Sequence, residues 1–82
     1  MRWWVCRDLS NGDDADGRPF PTYIWAARTR RAARERKAEH RNNPKHARLS
    51  GVEEWTDEMM SRYEKVGGIS KHWECAYYRR KG

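Results

Sequence analysis

A chain of 82 residues holds one small domain, 1–82, and a domain of that size buries a reduced share of its surface, so its core must be economical. Hydrophobic and charged residues each make up 37% of the chain and the net charge is +6; five Trp, four Tyr and one Phe supply enough ring area to exclude a wholly disordered polymer. The four-residue apolar stretch from Trp3 to Cys6 is too short for a signal-peptide core or a membrane span, and two cysteines are too few for the disulfide framework of a secreted domain. The expectation is a soluble cytoplasmic protein with reduced thiols.

Residues 1–9 read as a strand, with Trp3, Val5 and Arg7 on one side and Arg2, Trp4 and Cys6 on the other. Apolar groups on both sides mark it as central. Residues 10–21 are dense in turn formers and lead into a second aromatic, β-branched run, Thr22 to Ala27, which predicts a long-looped hairpin. Thr29 is placed to cap a helix from Arg30 to Asn42, ended by Pro44. The only apolar residues in that helix are Ala32, Ala33 and Ala38, so it packs by close approach or through arginine stems.

Ser50 and Glu53 have capping-box spacing, and Val52, Trp55, Met59, Tyr63 and Val66 recur every three or four residues up to Gly67-Gly68. This pattern predicts a second, acidic helix with a core-facing stripe. Lys71 to Arg80 reads as a last strand, with Trp73, Cys75 and Tyr77 on one side and His72, Glu74, Ala76 and Tyr78 on the other. The order β-β-α-α-β predicts an α+β two-layer domain: a three-stranded, mostly antiparallel sheet with two helices on one face.

The charge is unevenly spread. Arg28 to Arg48 contains nine Lys or Arg against Glu35 and Glu39, a local +7, whereas Val52 to Lys65 carries five acids against Arg62 and Lys65, a local −3. Within the basic run, Arg30, Arg34, Lys37 and Arg41 recur at helical spacing, with Arg28, Arg31, Lys45 and Arg48 nearby, and guanidinium groups suit phosphate because they donate two parallel hydrogen bonds. Trp4 and Tyr78, from the doublets Trp3-Trp4 and Tyr77-Tyr78, are the candidates for aromatic contacts on an open sheet face. Alternatively, loops or a second copy of the chain, making a homodimer, cover those rings.

Other chemistry finds little support. His72, Cys75 and Cys6 with His40 or His46 could supply four zinc ligands, but positions 72 and 75 of one strand face opposite sides, so no metal site is expected. Asp13, Asp14 and Asp16 resemble part of a calcium loop, yet Gly12 and Tyr23 stand where that loop needs acids. Cys75 with a histidine has no orienting partner or oxyanion motif, so no catalytic residue and no cofactor is expected.

The leading expectation is a non-catalytic basic protein that contacts nucleic acid, or a nucleic-acid-handling complex, through its cationic helix. Membrane is excluded as a partner because three alanines cannot anchor an interfacial helix. In composition, though through no motif, the chain also resembles phage-encoded accessory proteins, including anti-CRISPR proteins. That resemblance implies a small inhibitor or adaptor docked on a host protein complex through basic and acidic surfaces together.

Overall fold

A computed structural model describes residues 2–9, 21–40, 48–67 and 75–82 of the protein. The elements are β1 (Arg2–Arg7), β2 (Tyr23–Ala27), α1 (Arg30–His40), β3 (Glu53–Thr56), α2 (Asp57–Met60), β4 (Tyr63–Gly67) and β5 (Cys75–Arg80). The α+β class agrees with expectation, but the antiparallel sheet has five strands rather than three, in the order β3-β1-β2-β5-β4. The element order is therefore β-β-α-β-α-β-β.

The alternation anticipated along β1 and β5 is present, β2 alternates in step with them, and together they build two apolar layers. Val5, Ile24 and Ala26 join Trp55, Met60 and Tyr63 on one face, with Trp3, Met59 and Tyr78 at the margin. Cys6, Trp25, Ala27 and Cys75 join Ala32 and Ala33 of α1 on the other, with Trp4, Leu49, Val52 and Tyr77 at the margin. The helices thus lie on opposite faces, correcting the expectation that both share one. Thr29 caps α1 as the sequence suggests, its hydroxyl accepting from the Ala32 amide at 3.1 Å.

The second correction concerns residues 53–67, which form strand, single helical turn and strand instead of one helix. Ser50 does not cap a helix. Its amide donates to the Arg7 carbonyl at 3.0 Å and its hydroxyl accepts from the Arg7 amide at 2.8 Å, while Glu53 takes the Arg7 guanidinium at 2.7 Å. The residues with capping-box spacing are therefore a clasp on β1, which lays β3 along the β1 edge with Trp55 opposite Trp3. Thr56 then caps α2, accepting from the Met59 amide at 3.3 Å.

From there the chain crosses to the far edge, where β4 pairs with β5. Four strand intervals in a flat sheet measure about 19 Å. The rings of Trp55 and Tyr63 nevertheless lie 5.6 Å apart, so the sheet curls its two edges towards each other over Met60. Tyr63 fixes the closure by donating its hydroxyl to the Pro21 carbonyl at 2.9 Å. Of the expected stripe, Trp55 and Tyr63 are buried, Met60 replaces Met59 as the buried methionine, and Val66 is exposed.

Candidate functional site

Helix α1 presses Ala32 and Ala33 onto the sheet, and its inward side continues through Arg36 and His40. The Arg36 guanidinium lies 3.9 Å from the centre of the Trp25 ring and also binds Glu39 at 2.9 Å. His40 stacks on the same indole at 5.0 Å, and Tyr77 meets it at 4.3 Å. Arg36 is thereby an arginine of the core, its stem and planar head replacing the bulky apolar residue that the helix lacks.

At about 100° per residue, Arg30, Arg34 and Lys37 fall within an arc of about 60° on one flank of α1, and Glu35 and Glu39 occupy the opposite flank. The acids take their own neighbours: Arg31 binds Glu35 at 3.1 Å and Arg36 binds Glu39. Among the described residues, Arg34 and Lys37 have no carboxylate within ion-pair distance, and Arg30 has the Trp4 ring, 5.6 Å from its guanidinium carbon, and no carboxylate. These three cations line an open groove of about 460 Å³ together with Ala38 and, from the segment entering β3, Val52.

The remaining expected site residues disperse. Arg28 leaves the ridge, lying 3.9 Å over the Trp3 ring and 3.9 Å from Asp57 on the face opposite α1. Arg31 is highly exposed but bound to Glu35. Arg48 is exposed, and its carbonyl accepts from the Leu9 amide at 2.7 Å. Arg41 and Lys45 lie outside the described residues.

Trp4 and Tyr78 are both half-buried and sit on opposite faces, Trp4 beside α1 and Tyr78 in edge contact with Trp3 at 6.1 Å. They cannot contact one ligand together. Among the described large apolar residues, only Val66 is exposed.

The acidic surface is also different from the one anticipated. Glu53 binds Arg7, Glu54 binds Arg2, Asp57 meets Arg28 and accepts from the Trp3 indole at 2.6 Å, and Glu64 binds Arg79. Four of the five acids between 53 and 64 are thus paired with arginines from elsewhere in the chain. The ion pair with Glu64 holds the Arg79 guanidinium above its ordinary range.

Cys6 and Cys75 are free thiols buried beneath α1. Strand β2 runs between them, Cys6 opposite Trp25 and Cys75 opposite Ala27, so their Cα atoms stand at least two strand spacings apart, about 9.5 Å, too far for a disulfide. Burial pushes Cys6 up to about 11 against the opposing effect of Lys37, and Cys75 up to about 12 against that of Arg36. Both remain thiols at neutral pH, which leaves neither as an activated nucleophile.

No three His, Cys, Asp or Glu side chains gather into a metal-holding group among the described residues. His46, His72 and the Asp13–Asp16 loop lie outside them. Asp8, fully buried, accepts from the Tyr77 hydroxyl at 3.0 Å and sits beside the ring stack of Tyr23 and Tyr77. No described helix is long and apolar enough to cross a membrane. Compared with protein-family models, curated proteins and solved structures, the chain has no match.

What the sequence reading missed is Val52 as part of the groove lining and Arg36 as a core residue. The positions of Arg30, Arg34 and Lys37, four and three residues apart, carried the signal for the cationic flank itself.

Proposed function

We propose that this protein is a non-catalytic binding protein that contacts the phosphates of nucleic acid through the Arg30, Arg34 and Lys37 flank of α1. The observation that carries this reading is the segregation of charge around the helix. Glu35 and Glu39 occupy the arginines on one side, and three cations on the other side line a groove with no paired acid for Arg34 or Lys37 among the described residues. Cations held close to one another without counter-charges repel, and a polyanion relieves that repulsion while releasing its own counterions.

The test is a gel shift at low salt with DNA and with RNA, comparing the protein with a variant carrying Arg30→Ala, Arg34→Ala and Lys37→Ala. Loss of each charged contact should weaken binding on the order of tenfold. Arg31→Ala, whose partner is Glu35, should leave affinity almost unchanged. Absence of affinity in the parent chain, or equal affinity in the triple variant, refutes the proposal.

Docking on a host protein through matched basic and acidic surfaces has less to rest on. Four of the acids that would form its acidic half are already bound to arginines.

A further inference from the structure

We infer that the groove takes a single nucleic-acid strand rather than a duplex, an inference that rests on the phosphate-binding reading just given. The cations line the α1 side of an open groove, and Val52 lines it from the segment entering β3. A duplex is a rod whose charged backbones are reached by side chains standing out from a convex surface or by an element that enters a groove. Here α1 is laid flat on the sheet through Ala32, Ala33 and Arg36, so that of the three cations only Arg34 stands among its most outward positions, with Ala38 and the Glu35-bound Arg31, while Arg30 and Lys37 lie to one side.

The dimensions agree with a short strand. From Arg30 to Lys37 the helix rises about 10.5 Å, room for a few phosphates of one chain and no more than one for each cation. Val52 and Ala38 add apolar surface for sugars or base faces, which every sequence presents, so binding is expected to be tolerant of sequence. Arg30 is held at one end of the row by the Trp4 ring, and a guanidinium lying over an aromatic face keeps its N–H edge free to donate to phosphate. Trp4 is in this scheme a positioning residue.

Fluorescence anisotropy with a labelled oligothymidine of about 12 nucleotides, and with a duplex of the same length, separates the cases. The single strand should bind tighter by roughly tenfold or more. Three phosphate contacts predict a slope of log affinity against log salt of about −2, or a loss of about twentyfold between roughly 50 and 200 mM salt. In the groove lining, Val52→Glu should weaken single-strand binding and Val52→Lys should strengthen it, steepening the slope by about 0.7.

Because the two substitutions act in opposite senses, a common effect on folding cannot imitate the result, and thermal melts of both variants check that the fold is kept. Duplex affinity equal to or above that of the single strand overturns the inference. So does indifference to both Val52 substitutions while the triple Ala variant still loses binding; in each case phosphate binding by α1 survives. If neither nucleic acid binds, the underlying proposal falls with it.

Discussion

Arg36 and Arg34 are two residues apart on α1 and do opposite things. Arg36 lies on the Trp25 ring, bound to Glu39 and largely buried, while Arg34 projects into the groove with no acid beside it among the described residues. The same division runs through the described residues: among them Arg2, Arg7, Arg28, Arg31 and Arg79 are bound to carboxylates, and Arg30, Arg34 and Lys37 are not. A count of basic residues along a segment therefore overstates the charge on offer, and what matters is which cations the fold has already used.

The comparison can be broken by attacking the framework and the groove in turn. Alkaline pH acts on the framework most strongly. Cys6 and Cys75 have folded values of about 11 and about 12 against an ordinary 9.0, so the unfolded chain loses its thiol protons first. Their contribution is complete below about pH 9 and is lost as pH rises towards 11 and 12, whereas arginine stays charged. Urea unfolding at stepped pH should therefore show stability falling above about pH 9, with an attenuated fall in a Cys6→Ala, Cys75→Ala variant. A stability that is flat between pH 9 and 11 would contradict this.

Arg36→Ala should come next, lowering stability by about 1–3 kcal/mol through loss of the ring contact and a largely buried ion pair. Its effect on single-strand affinity should be under about twofold, because Arg36 does not line the groove. Arg28→Ala removes a more exposed contact on Trp3 and should lower stability by about 0.5–1 kcal/mol, again sparing binding. Arg34→Ala should do the reverse: less than about 0.5 kcal/mol in urea, with a clear loss of affinity. If Arg36→Ala and Arg34→Ala proved alike in both assays, the division between framework and groove cations would be wrong.

Much of this was legible in the residues. Alternation placed Trp3 with Val5 and Trp4 with Cys6 in β1 and Cys75 with Tyr77 in β5, and Thr29 marked the start of α1. Residues 53–67 misled because Trp55 and Tyr63, eight apart, satisfy a helical period and also serve as the inward residues of two different edge strands. What decides between them is distant in sequence: the Arg7 backbone held by Ser50, and the pairing of Tyr63 to Gly67 with β5. The groove was half visible. Helical spacing gave its cationic side, but Val52 reached the groove only through the clasp that turned its neighbours into a strand.

The path of that same segment from one sheet edge to the other has a consequence for how the molecule forms. Helix α1 can begin locally from its Thr29 cap, but β1 must find β3, with Trp3 meeting Trp55, and β2 must find β5, with Ile24 meeting Tyr78. Each pairing closes a loop of more than half the chain, so the entropy of closure is met before most contacts form. A molecule this small would fold in microseconds if its contacts were local; the topology instead places its expected refolding time between milliseconds and seconds.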